Sequence, residues 1–170
     1  MLNEIDLAAA NSRLTGVVRR TPVLRSRVLD DALGAEIYLK AEHLQRTGAF
    51  KFRGAFNAIA AVEPDVRRRG VVTYSSGIHA QASARAAQIF QIPATVVIPD
   101  DAPTSTRQAT DRYWATIVLY DRYTERREDV AAAVLADYNL TLIPPFDHLD
   151  VIAGQSTCAR ELFEESGPLD

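Results

Sequence analysis

A lysine framed by glycines, and a serine pair at the end of a strand, are the residues of this chain best suited to chemistry. Lys51 lies in the run T-G-A-F-K-F-R-G at residues 47–54, between Gly48 and Gly54. Glycines so placed permit a backbone that a ligand approaches closely. An apolar stripe follows at once (Phe52, Ala55, Phe56, Ile59, Ala60, Val62), so Lys51 is expected at the start of a helix that ends before Pro64. There the helix dipole and the neighbouring Arg53 both disfavour the ammonium form and lower the amine's pKa. A lysine so tuned can add to an aldehyde and form an imine. The local pattern by itself fits a surface lysine beside a loop as well.

The second segment is Ser75-Ser76-Gly77-Ile78-His79-Ala80-Gln81. It joins a strand-like run at 71–74 to an alanine-rich helical run at 79–90. In a parallel sheet the carboxyl end of a strand is where ligands bind. Free N–H groups at a helix start favour an anion, and the two serines add hydroxyl donors. A carboxylate is the natural guest; a serine that merely caps the helix is the alternative.

A regular beat of short strands and helices must position these segments. Helices are expected over 4–18, 26–33, 52–62, 79–90, 105–113, 124–138 and 150–165, and strands over 36–40, 71–74, 94–98, 116–120 and 140–143. Asn3 and Thr124 are read as helix caps, Gly34 as a helix stop, and Pro144-Pro145 as a strand stop. Strands alternating with helices predict an α/β fold with a doubly wound parallel sheet covered on both faces. Trp114 sits in a helix-to-strand turn where glycine is preferred, and reads as either a local packing residue or an exposed anchor.

Composition excludes several partners. The net charge of −3 leaves no basic footprint for nucleic acid. Arg67-Arg68-Arg69 and Arg126-Arg127 read as a solvated helix end and helix face. Cys158, the single cysteine, reads as a small apolar helix residue and fits a reducing compartment. No leader-like start and no bilayer-length apolar run occur, so a cytoplasmic location with no membrane partner is expected. His43, His79 and His148 lack metal-ligand spacing, so no metal is expected. The strand-to-helix turn after Tyr74 lacks G-x-G-x-x-G, which argues against a nucleotide-binding module.

Taken together, in this order and at this separation, the two segments resemble the fold-type-II pyridoxal-phosphate (PLP) enzymes, and within them the threonine dehydratase and serine racemase branch. That branch's F-K-x-R-G motif is matched by Phe50-Lys51-Phe52-Arg53-Gly54, and its S-S/A-G-N-H-A/G-Q loop by Ser75 to Gln81 at every position but one. Leu39-Lys40-Ala41-Glu42-His43-Leu44-Gln45 and Ile152-Ala153-Gly154-Gln155 match as well. His79 stands where the cysteine synthase branch usually has threonine. The resemblance covers nearly the whole chain. It implies PLP as cofactor, and dehydration (ammonia-lyase chemistry) or racemisation of threonine or serine. It makes Lys51 the Schiff-base lysine and a base on one face of the cofactor, and Ser76 the acid or base on the other. Ser75, Ser76, Gly77 and His79 become the loop that holds the substrate carboxylate, and Phe50 lies against the pyridine ring. It also implies a homo-oligomer, with residues 47–146 as the small α/β domain of a tryptophan synthase β-like fold and residues 1–46 and 147–170 as an incomplete part of the larger domain.

Two departures stand out. Ile78 replaces the family's asparagine, which hydrogen-bonds the hydroxyl oxygen of the cofactor ring; leaving a buried partner unsatisfied costs about 1–3 kcal/mol. The family's glycine-rich phosphate cradle has no counterpart, since the glycines at 16, 34, 48, 54, 70, 77, 154 and 167 are never adjacent. On this reading the chain corresponds to roughly the first half of such an enzyme. The alternative is a truncated or engineered small-domain scaffold that self-associates without turnover.

Overall fold

The structure is a computed structural model that describes residues 4–169. The expected cap at Asn3 lies outside the described residues.

Four parallel strands form the central sheet: β3 (Val71–Tyr74), β4 (Ala94–Pro99), β5 (Thr116–Tyr120) and β6 (Thr141–Leu142), in the order β5-β4-β3-β6. Between them run α5 (Ile78–Phe90), α6 (Thr104–Asp111) and α7 (Arg127–Tyr138). Alternation along the strands decides which side chains each face receives. Val71, Val96 and Ile98 join the core that contains α5 and α3 (Lys51–Ala61), while Val72, Tyr74 and Val97 pack with α7. Both faces are therefore covered, as expected for a doubly wound sheet. The strand order runs outward in one direction through β4 and β5, then reverses to β6. The crevice between the carboxyl ends of β3 and β6 is thus the topological switch point, where such sheets bind ligands.

A second layer holds α3. Helix α8 (Leu149–Ser166) packs along it, and α1 (Glu4–Leu14) packs on both. The antiparallel ribbon of β1 (Val23–Arg25) and β2 (Tyr38–Lys40), with α2 (Arg27–Leu33) between its strands, lies outside the parallel sheet. Arg53 is 0% exposed at the α3–α8 junction and binds Glu42 (2.8 Å) and Glu161 (2.7 Å). Lys40 meets Glu161 at 3.0 Å, and Thr21 Oγ1 donates to Glu42 at 2.6 Å. Burial pushes the Glu161 carboxyl up, but hydrogen bonds from Arg53 and Lys40 outweigh it and hold the group below its ordinary value.

Local departures from the sequence reading have local causes. α1 stops at Leu14 because Gly16 turns the chain at φ 75°. A short helix, α4 (Pro64–Arg67), begins on Pro64, which was read only as a stop; proline suits a first helical position. Thr124 does not cap α7, which starts three residues later. Asp121 captures that loop instead, accepting from Tyr123 N (2.8 Å) and Thr124 Oγ1 (2.9 Å). Trp114 adopts a left-handed φ of 62° and is 82% exposed, so it is not a local packing residue. Among the described residues no helix is long and apolar enough to cross a membrane.

The α3–α8 contact rests on two glycines. A Cβ at Gly154 would lie 2.5 Å from the Arg53 carbonyl oxygen, and one at Gly54 2.7 Å from that of Val151. Gly154→Ala is expected to cost about 1–3 kcal/mol in urea unfolding, because the intruding methyl meets backbone rather than a side chain that can swing away. An unchanged midpoint would mean that the two helices separate freely.

Candidate active site

The chain enters α3 through two 3-10 turns, Glu42–Leu44 and Arg46–Gly48. Thr47 and Gly48 take left-handed φ values of 60° and 71°. Gln45, 3% exposed, fixes this bend: its Nε2 donates to Arg19 O (2.8 Å), and its Oε1 accepts from Arg19 N and Arg46 N (both 3.0 Å). The bend delivers Lys51 as the first residue of α3, and the turn before it packs on α5.

Lys51 Nζ crosses to the β6 side of the crevice and donates to the carbonyl of Pro145 at 2.7 Å. It also lies 5.6 Å from the centroid of the Phe50 ring. Burial holds the amine below the ordinary lysine range. The expectation that Arg53 lowers it is corrected, because Arg53 points into the α3–α8 junction and its charge is matched by Glu42 and Glu161.

On the β3 side, Ser75 Oγ accepts from Gly77 N (3.2 Å) and Ser76 is exposed. Gly77 is the N-cap of α5 without a side-chain cap, and a Cβ there would meet nothing within 4 Å. The start of α5 is therefore open to an anion. Ile78 stands 46% exposed at this mouth and offers no polar group. On the other side Phe146, next to Pro145, is 49% exposed.

His79 goes elsewhere than its neighbours. It is 2% exposed, with Nε2 3.3 Å from Ile143 O and 3.2 Å from Ser83 Oγ, while Nδ1 has no partner. Its side chain thus faces the sheet, and what it presents to the cleft is its main chain at the start of α5. Burial, offset in part by the Ile143 carbonyl and aided by the Lys51 charge, pushes its pKa down to about 4.

Three groups of the candidate site were not legible in the sequence. The Pro145 carbonyl and the Thr73 hydroxyl, which donates to Ile143 O at 2.7 Å, depend on where the β6 end points. Arg127 places its guanidinium 5.1 Å from the Tyr74 ring centroid and 5.7 Å from that of Phe146, so it stands at the cleft rim; its arginine pair was read only as a solvated helix face. Cys158, half-buried on α8, has its thiol pushed up by burial, which suits a packing role. His43 is exposed, and His148 is the N-cap of α8.

The buried imidazole has a thermodynamic consequence. Between pH 6.5 and about pH 4 the unfolded chain binds a proton at His79 that the folded chain resists, so stability falls as pH drops through that window. The loss is up to about 1.4 kcal/mol per pH unit. Urea titrations from pH 7 to pH 4 check this: His79→Gln should flatten that part of the profile, and equal slopes would mean that His79 titrates freely.

Comparison with known proteins bears on this geometry. The family described as "Pyridoxal-phosphate dependent enzyme" matches residues 14–170. The chain is 52% identical over 165 residues to an L-threo-3-hydroxyaspartate ammonia-lyase of Pseudomonas sp, covering 97% of this chain and 52% of that protein. It is 47% identical over 165 residues to a serine racemase of Schizosaccharomyces pombe, covering 97% of this chain and 51% of the relative. The solved structure of maize serine racemase superposes with a TM-score of 0.95 at 38% identity, covering 99% of this chain and 51% of that one. The chain spans about half the length of the curated relatives it matches. With a family match over most of its length and a fold shared with solved relatives, this chain belongs to the pyridoxal-phosphate dependent enzyme family.

Proposed function

We propose that this chain carries the lysine side of the active site of a PLP-dependent ammonia-lyase or racemase acting on small 3-hydroxy amino acids. The observation that carries the reading is the position of Lys51: a partly buried amine, depressed below the lysine range, at the switch-point cleft beside an uncapped helix start. Those groups fit the aldehyde of PLP and the carboxylate of an amino acid. Ile78 does not fit a polar ring atom, and no nest of successive N–H groups for a phosphate is evident beside it. When bound, PLP supplies the electron sink that makes the α-proton of an amino acid removable.

The chain's own groups then take defined parts. Lys51 is the nucleophilic amine and the base on its side of the cleft. Ser76, exposed across the cleft, is the acid or base on the other side. The main chain of Gly77 and His79, with the Ser75 and Ser76 hydroxyls, holds the carboxylate at the start of α5. Phe50 and Ile78 form apolar walls that keep water from the amine. Loss of the α-proton and the β-hydroxyl as water, then addition of water to the resulting free imine to give a keto acid and ammonia, completes the lyase reaction; return of the α-proton from the opposite side completes racemisation. In this reading residues 47–146 act as one domain and 1–46 with 147–170 as part of a second, in a self-associating cytoplasmic enzyme.

The substrate class narrows at the rim. A hydroxyaspartate carries a second carboxylate, and Arg127 bonds Glu128 through Nε (2.8 Å) while its Nη atoms make no hydrogen bond among the described residues. We assign Arg127 to that second carboxylate. Arg127→Gln should raise KM for hydroxyaspartate about tenfold more than KM for threonine, a charge-assisted hydrogen bond's effect. Equal effects on the two substrates would remove Arg127 from the reading. For the site as a whole, incubation with PLP followed by borohydride should leave a pyridoxyl group on Lys51 in the digested peptide; its absence there would sink the proposal.

A further inference from the structure

We infer that the main-chain carbonyl of Pro145 is a working part of the site, accepting a hydrogen bond from the Lys51 ammonium, and that Thr73 and His79, by holding the Ile143 carbonyl two residues earlier, are positioning residues that keep it in place. This rests on the reading of Lys51 as the reactive amine.

The inference starts from the sequence Ile143-Pro144-Pro145. Ile143 N makes the last ladder bond of this edge, to Val72 O at 2.9 Å. The two prolines that follow have no N–H, so the segment leaves the sheet, and its carbonyls are free of ladder partners. A strand end with no further ladder bonds would drift unless something else pinned it. Two side chains do so. Thr73 Oγ1 donates to Ile143 O at 2.7 Å from within β3, and His79 Nε2 lies 3.3 Å from the same oxygen from the first turn of α5. Both side chains are buried, at 1% and 2% exposed, and Ile143 itself is 1% exposed. An imidazole that stays neutral has one N–H. With that proton on Nε2 it points to the Ile143 carbonyl, with Ser83 Oγ beside it at 3.2 Å, and Nδ1 is the nitrogen left without a partner.

Two residues beyond this clamp, Pro145 presents its carbonyl to Lys51 Nζ at 2.7 Å. No backbone N–H of the described residues competes for that oxygen, and no carboxylate pairs with Nζ. Among the charged groups of the surrounding elements, His79 on α5 is neutral, Arg53 on the same helix is paired away from the cleft, and the guanidinium of Arg127 on α7 lies 5.7 Å from the Phe146 ring centroid. The carbonyl is thus the group that keeps the ammonium form satisfied in a site whose burial disfavours it. An amine that must shed a proton to react, and take one up to act as a base, needs such a neutral acceptor, since a carboxylate there would hold the proton too tightly.

Lysine chemistry reads this out without cofactor, because Lys40 and Lys51 are the only lysines of the chain. The experiment is reductive methylation with formaldehyde and cyanoborohydride across pH 6 to 10, followed by peptide mass spectrometry. Removing a donor from the clamp frees the carbonyl, the ammonium loses its acceptor, and the amine deprotonates more readily. His79→Leu should therefore speed Lys51 labelling at neutral pH on the order of tenfold and move its profile to lower pH. Thr73→Val, which removes one hydroxyl at constant shape, should move it the same way by less. His79→Gln, which keeps a donor, should restore the original profile. Lys40, held by Glu161 and Glu165, is the internal control and should not move. An unchanged or slower Lys51 profile in folded Thr73→Val overturns the inference, even if His79→Leu fails to fold. Failure of His79→Gln to restore the profile overturns it too, by reducing His79 to packing. These outcomes are separable from the PLP reading: pyridoxyl trapping on Lys51 can fail while the clamp variants still shift its labelling, and the reverse.

Discussion

The guanidinium of Arg53, buried without exposure and gripped by Glu42 and Glu161, is the constraint on which the rest of this structure depends. A cation withdrawn from water costs several kcal/mol, and only close, well-directed anions offset that cost. Arg53 spends every donor on such partners: Nε and Nη2 on Glu42, Nη1 and Nη2 on Glu161, with Thr157 and the Arg19 carbonyl completing the shell. Lys40 balances the second carboxylate. The planar fork of a guanidinium accepts these partners only in one orientation, so α3, α8, the turn at Glu42 and the end of β2 are fixed relative to each other. An apolar contact of the same area would let them slide.

The glycine pair makes this arrangement possible. Gly54 and Gly154 bring α3 and α8 to within backbone contact, and that closeness buries Arg53. The consequence reaches the cleft two residues away. With α3 locked on one side, its first residue can only project toward the carboxyl ends of β3 and β6. Lys51 thus enters a partly dry cleft, where burial lowers its pKa and a carbonyl accepts its hydrogen bond. The ion cluster and the candidate site are two ends of one turn of helix with opposite electrostatic tasks. One end neutralises charge completely, and the other leaves an amine with no anion beside it.

The doubly wound sheet supplies the remaining geometry. Because the strand order reverses between β3 and β6, the loops after those two strands diverge and leave a crevice. The serine loop comes from one side and the double proline from the other. His79 bridges them from below, with its side chain spent on Ile143 while its main chain stays at the uncapped start of α5. Its side chain thus touches the scaffold.

Much of this was legible in the sequence, for physical reasons. Period-two and helical patterning placed the strands of the parallel sheet and its helices to within a few residues, because burial on a face repeats with the element's own geometry. The glycines around Lys51 and the serine loop pointed to the lysine and to an uncapped helix start, since both leave residue signatures, and they carried the family. What the sequence could not decide is which face of one element meets which face of another. Arg53 and Lys51 are two residues apart, so the helical period itself sets them on opposite sides of α3; what spacing did not show is that α8 meets the Arg53 side and supplies its anion. The serine loop likewise did not reveal that His79 turns inward, nor did Pro144-Pro145 reveal where a carbonyl points. Those outcomes depend on contacts between segments about 60 to 110 residues apart, and only the tertiary structure brings such segments together.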